Sequence, residues 1–80
     1  MSIRATLLKN KAPQSAWLIT VKDAATGVER HAARTTLGAA KKTAVKFANS
    51  MGDLDRTRLP WVNVPQEIEG VQYLTAEIEV

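Results

Sequence analysis

The chain has 80 residues, 45% of them hydrophobic, and a formal net charge of +3. Twelve of the hydrophobic residues are alanines, so the bulky apolar side chains suffice for one small core, and we predict a single domain over residues 1–80. The lack of cysteine excludes disulfides, thiolate metal sites and thiol catalysis. With no signal-peptide pattern and no apolar run near the ~20 residues of a membrane span, we expect a cytoplasmic protein without a membrane partner.

Three strands are predicted in the N-terminal half of the chain. Alternation of apolar and polar residues indicates strands over residues 3–8, 16–22 and 28–34. A loop around Pro13 joins the first two strands, and a turn ending at Gly27, which is free to take a positive φ, joins the second and third. Arg30 and Arg34 interrupt the alternation of the third strand, so we expect either an edge position in the sheet or a bulge.

An amphipathic helix is predicted over residues 36–51. Its apolar stripe recurs every three to four residues and consists of Leu37, Ala40, Ala44, Phe47, Ala48 and Met51. Thr35 and Thr36 are candidates for the N-cap. Gly52 is expected to end the helix in the left-handed conformation.

The C-terminal part is predicted to add two strands, over residues 61–64 and 71–80, after a loop over 53–60. In the last strand Leu74, Ala76, Ile78 and Val80 share one face, and Tyr73, Thr75, Glu77 and Glu79 share the other. The fold class is therefore α+β, an antiparallel sheet with one helix packed on one face, in the order β-β-β-α-β-β. The other face is a candidate contact surface, and the sheet edges also permit a homodimer.

Charge is distributed unevenly along the sequence. Residues 1–50 carry nine basic and two acidic side chains, a net charge of +7, whereas residues 51–80 carry two basic and six acidic side chains, a net charge of −4. Such polarity can steer a charged partner toward one surface. The alternative is that folding interleaves the two sets of charges.

The sequence offers few residues in patterns typical of a catalytic site. His31 is the only histidine and has no recognisable acid or nucleophile partner in the sequence. The carboxylate pairs Glu67/Glu69 and Glu77/Glu79 are more typical of solvated strand faces than of acid–base sites. Because the sequence also has no phosphate loop or nucleophile elbow, we expect a protein that is not an enzyme and that uses no cofactor or metal.

Basic residues of the hairpin and the helix support nucleic-acid binding as one hypothesis. The candidates are Lys41, Lys42, Lys46, Lys22, Arg30 and Arg34. The stretch 16–27, followed by Thr36 and the alanine-rich helix, resembles the arm-binding domains of tyrosine integrases, which insert their sheet into a DNA groove. The acidic C-terminal strands depart from that family, and lysines on an amphipathic helix are also typical of a plain solvated face.

A second resemblance concerns the layout of the whole N-terminal part. It rests on Pro13, the hairpin 16–34, the alanine-rich helix 37–51 and Gly52. This layout resembles that of phage-encoded type I anti-CRISPR proteins. The resemblance implies a non-catalytic inhibitor that binds a CRISPR surveillance complex in its bacterial host and blocks DNA access or nuclease recruitment. We adopt this class of host-protein-binding inhibitor as the first hypothesis and DNA binding as the second.

Candidate contact residues for a protein partner come from the aromatic and acidic side chains. Trp17 shares a strand face with Ile19 and Val21 and is expected in the core, whereas Trp61 follows Pro60 and is a candidate anchor or a cap over the core. If Trp61 is an exposed anchor, Tyr73 on the polar face of the last strand is a candidate to join it in one patch. The predicted protein-binding set is Trp61, Tyr73, Glu67, Glu69, Glu77 and Glu79.

Overall fold

The computed structural model describes residues 2–9, 16–67 and 70–79, and within them the chain forms five strands and one helix. The elements are β1 Ser2–Lys9, β2 Trp17–Asp23, β3 Glu29–Arg34, α1 Leu37–Gly52, β4 Val62–Val64 and β5 Gln72–Glu79. The strands form an antiparallel sheet in the order β3-β2-β1-β5-β4. The predicted α+β class and element order are confirmed. The predicted loop around Pro13 and the residues Glu69 and Val80 lie outside the described residues.

The first strand of the chain occupies the centre of the sheet. It pairs with β2 on one side and with β5, the last strand, on the other. Ile3, Ala5 and Leu7 alternate along β1 with more exposed residues and are almost fully buried. The β3 strand lies at an edge, one of the two arrangements that its interrupted alternation predicts. Completion of the sheet therefore requires the two ends of the chain to meet.

Small side chains bring the helix close to the sheet. Ala40, Ala44 and Ala48 are completely buried on the face of α1 that contacts β1, β2 and β3. The predicted core residues Trp17, Ile19 and Val21 are buried beneath it. The segment after the helix contributes the buried Leu59 and the partly buried Leu54 and Trp61 to the same core. Among the described residues, no helix is long and apolar enough to cross a membrane.

The helix ends differently from the prediction at its C-terminus. At the N-terminus Thr36 is the cap, and its Oγ1 accepts a hydrogen bond from the N–H of Ala39 at 3.2 Å. At the other end Gly52 is still helical, and Asp53 takes the left-handed conformation at φ 52°. The prediction for Gly52 is therefore wrong. Asp tolerates this conformation. A Cβ at position 52 would lie 3.0 Å from both Ile3 Cδ1 and Leu54 Cδ1, so an alanine there would require these side chains to shift by a few tenths of an ångström.

The two helical glycines differ in what an added methyl group would meet. A Cβ at position 38 would have no heavy atom within 4 Å, whereas a Cβ at position 52 would make the tight contact with Ile3. We expect Gly38→Ala to raise the free energy of unfolding by about 0.5 kcal/mol, since alanine reduces the entropy of the unfolded chain. Gly52→Ala is the matched control and is not expected to stabilise. Urea unfolding of both variants checks this, and equal stabilisation would contradict the packing role of Gly52.

Candidate functional site

The face of the sheet that points away from α1 has no covering element among those described, and we call it the open face. Its side chains alternate along each strand with the core residues. Its main members are Arg4, Thr6 and Leu8 of β1, Leu18, Thr20 and Lys22 of β2, Glu29, His31 and Ala33 of β3, Val62 and Val64 of β4, and Tyr73, Thr75 and Glu77 of β5. The strand register arranges these residues in three rows.

The first row of the open face is apolar and crosses all the described strands. In register it consists of Ala33, Leu18, Leu8, Tyr73 and Val64. Leu18 near its middle is 47% exposed. With neighbouring strands about 4.8 Å apart, the row is about 19 Å long. Ala33 is also exposed, and Leu8, Tyr73 and Val64 are partly exposed, so the row forms a continuous apolar strip on the described surface.

The second row is polar and hydrogen-bonded within the sheet. It consists of His31, Thr20, Thr6 and Thr75, and it ends on β4 at the apolar Val62, which is 59% exposed. The Oγ1 of Thr20 lies 3.2 Å from Nδ1 of His31, and Thr75 donates to the backbone oxygen of Ala5 at 3.4 Å. These hydroxyl groups already have partners, so covering them costs little desolvation.

The third row is charged and internally compensated. In register it reads Glu29, Lys22, Arg4 and Glu77. Arg4 Nη2 lies 2.8 Å from Glu77 Oε2, and Lys22 Nζ lies 3.6 Å from Glu29 Oε1. The hydrogen bonds and charge of Glu77 raise the pKa of Arg4 above its ordinary value. On this face, folding interleaves charges from the basic and acidic parts of the chain.

The short β4 strand leaves a groove beside the open face. It pairs with β5 only over Tyr73 to Thr75, so the part of β5 around Glu77 has no described strand on that side. The resulting groove of about 550 Å³ is lined by Arg4, Pro60, Val62, Tyr73, Thr75 and Glu77. Apolar and charged side chains therefore meet at one end of the open face.

A second concave surface lies on the helix side of the sheet, and we call it the cationic groove. It has a volume of about 370 Å³ and runs between α1 and the segment that precedes β4. Its lining includes Lys41, Lys42, Val45, Arg58, Leu59 and Trp61, and no carboxylate of the described chain contributes to it. This groove therefore combines positive charge with an aromatic ring.

The structure divides the predicted protein-binding residues between two surfaces. Tyr73 and Glu77 lie on the open face, with the exposed Glu79 at its margin opposite Ser2. Trp61 lies on the helix side, packs against the core and lines the cationic groove. The predicted patch of Trp61 and Tyr73 is therefore not formed. Glu67 is exposed in the connection between β4 and β5, and Glu69 lies outside the described residues.

The predicted nucleic-acid set is also divided. Lys41, Lys42, Lys46, Arg30 and Arg34 lie on the helix side. Arg30 is stacked over Phe47, with Cζ 6.0 Å from the ring centroid. Lys22 belongs to the open face and pairs there with Glu29. Any nucleic-acid surface on the helix side therefore excludes Lys22.

Four members of the apolar row are absent from the contact residues predicted from the sequence: Leu8, Leu18, Ala33 and Val64. Strand alternation places each of them on the outward side, so part of the signal is present in the sequence. Their alignment depends on the register between strands, which alternation alone does not give.

Within residues 2–9, 16–67 and 70–79, no group of three His, Asp or Glu side chains is placed to hold a metal ion. The buried Asp23 accepts a hydrogen bond from the N–H of Ala25 at 2.9 Å, which fixes the turn before β3. His31 is exposed between Thr20 and Glu29.

Comparison with known proteins adds no assignment: no protein-family model, curated protein or solved structure matches this chain. A functional proposal therefore depends on the chemistry of the open face and of the cationic groove.

Proposed function

We propose that the protein is a non-catalytic binding protein that attaches to a partner protein through the open face. The observation that carries this proposal is the apolar row, with Leu18 and Tyr73 near its middle and polar rows beside it. A contiguous exposed apolar strip with a polar border is typical of a protein-interaction surface. Tyrosine is also among the residues that contribute most to interface affinity.

The charges of the open face favour a protein over a nucleic acid as its partner. Binding to a phosphate backbone depends on cations that are free to replace counterions. Arg4 and Lys22 each have a carboxylate partner, so the charged row offers no excess of positive charge. This face is therefore poorly suited to insertion into a DNA groove of the kind made by the arm-binding domains of tyrosine integrases.

The finer proposal is that this partner belongs to a CRISPR surveillance complex, as in phage-encoded type I anti-CRISPR proteins. It is supported by the resemblance in layout and by Glu77 and Glu79 at the far end of the open face, where Glu77 is already paired with Arg4. In this proposal the acidic strand β5 meets a basic DNA-binding surface of the complex, so that DNA access or nuclease recruitment is blocked. Complementary charges of this kind guide the encounter of two proteins.

The proposal predicts that an open-face substitution abolishes partner binding. We expect tagged wild-type protein to retain a partner from a host lysate, and Leu18→Arg to weaken the reconstituted complex at least about ten-fold by placing a charge in the apolar row. Lys46→Glu, also exposed but on the helix side, is the control and should bind within about two-fold. Thermal unfolding confirms that both variants are folded. Failure to recover a partner, or loss with Lys46→Glu but not with Leu18→Arg, contradicts the proposal.

The second candidate function, nucleic-acid binding, is favoured by a different observation. Among the described residues, the helix side carries several cations that form no ion pair with a carboxylate, around Lys41, Lys42, Lys46 and Arg58. Because this surface is separate from the open face, the two functions are tested independently.

A further inference from the structure

The cationic groove has a charge that the rest of the described chain does not neutralise. Lys41 and Lys42 enter it from α1, and Arg58 enters it from the segment before β4. In the described part of the chain, none of these three forms an ion pair. Lys46 lies one helical turn beyond Lys42 and extends the positive charge along the exposed side of α1. The groove therefore favours an anionic occupant.

Its apolar lining indicates that the occupant also has a flat apolar part. Trp61 is only partly buried and lines the groove together with Val45 and Leu59. Leu59 is 6% exposed and anchors the segment in the core, so the indole ring is held in place beside the cations. Proteins that bind single-stranded nucleic acids combine a fixed aromatic side chain with nearby lysine and arginine. The bases stack on the ring and the phosphates contact the cations.

We propose that the cationic groove binds single-stranded nucleic acid, with phosphates at Lys41, Lys42 and Arg58 and one base against Trp61. Each nucleotide places one phosphate charge next to one flat ring, and the groove presents the matching pair of features. A groove of about 370 Å³ accommodates one small organic group rather than a duplex, whose bases are stacked and paired inside it. This proposal rests on the second candidate function and specifies its ligand class and its site, which is separate from the open face.

The test uses a fluorescein-labelled oligothymidylate and the full chain at ~50 mM salt, where phosphate contacts are strongest. Fluorescence anisotropy gives the affinity. We expect Lys42→Gln with Arg58→Gln to weaken binding at least about ten-fold and to reduce the slope of log K against log salt by about 1.4, since each cation contributes about 0.7 on a single strand. The matched double variant Arg4→Gln with Lys22→Gln, which removes two cations from the open face, should leave both quantities unchanged.

The aromatic contact is tested separately from the charge. Trp61→Ala is expected to reduce affinity about ten-fold, and Trp61→Phe, which keeps a ring for stacking, to reduce it less than about three-fold. Because Trp61 also packs against the core, thermal unfolding is measured for each variant. If Trp61→Ala is unfolded, its loss of binding is not counted, and the test depends on Trp61→Phe and on Lys42→Gln with Arg58→Gln.

Competition decides the class of anion. Unlabelled oligothymidylate should displace the probe, while a mixed-sequence duplex and poly-glutamate should displace it at least about ten-fold less well. Equal competition by poly-glutamate would overturn the proposal in favour of an acidic polypeptide. Equal competition by the duplex, absence of binding at ~50 mM salt, or equal affinities of the two double variants would also overturn it.

Discussion

Replacing Leu7 with alanine is expected to lower the free energy of unfolding by about 3 kcal/mol. Leu7 is completely buried on β1 and lies in register between Ile19 and Leu74. Because β1 is the central strand, neighbours on both sides are fixed by their own pairing and cannot easily close the cavity. A domain of this length has a total stability of roughly 4–12 kcal/mol, so a large part of it is lost.

The control for this prediction is the same substitution on the opposite face. Leu18 lies on the adjacent strand β2 and is 47% exposed. Leu18→Ala should cost less than about 1 kcal/mol, because little apolar area leaves the core. Urea unfolding gives the free energy of unfolding of both variants, and an equal dependence of that free energy on urea concentration makes the two values comparable. Similar losses for Leu7→Ala and Leu18→Ala would contradict the assignment of the two sheet faces, and with it the open face.

The faces of the strands could be predicted from the sequence because alternation is a local property. Ala76 and Ile78 are buried and Glu77 is exposed, as the pattern of the last strand predicts. The order of the strands could not be predicted in the same way. The central place of β1 depends on pairing between the two ends of the chain, and no single segment encodes that pairing. The C-cap prediction was wrong because Asp53, and not Gly52, takes the left-handed conformation; the close approach of Ile3 to position 52 is a tertiary contact that the pattern of a helix end does not encode.

The candidate surfaces were predictable only in part for the same reason. An uncovered sheet face follows from a helix that packs on one side, and it was expected. The apolar row on that face depends on how Leu8 and Leu18 align with Tyr73, which is set by register. Trp61 and Tyr73 were candidates for one patch, but strand parity directs Trp61 toward the helix side and Tyr73 toward the open face. Lys22 likewise lies on the open face and Lys41 on the helix side, because the strand and the helix direct them to opposite sides of the sheet.

Replacing Ala44 with leucine is the helix substitution from which we expect the largest effect. Ala44 is completely buried at the centre of the alanine stripe, between Ala40 and Ala48. A leucine side chain there would have to enter the space between α1 and the sheet, and overpacking of this kind costs about 3 kcal/mol. Small residues at this interface are what allow a chain with few bulky side chains to close its core.

Ala39→Leu is the matched control, because it makes the same change on the same helix at a position that is only partly buried. Since alanine and leucine have similar helix propensities, we expect that variant to lose less than about 0.5 kcal/mol in thermal unfolding. Comparable stability of the two variants would contradict the close packing of the helix on the sheet.

The same close packing holds Lys41 and Val45 opposite Trp61 across the cationic groove. Ala44→Leu should therefore weaken oligothymidylate binding even at temperatures where it remains folded, whereas Ala39→Leu should not.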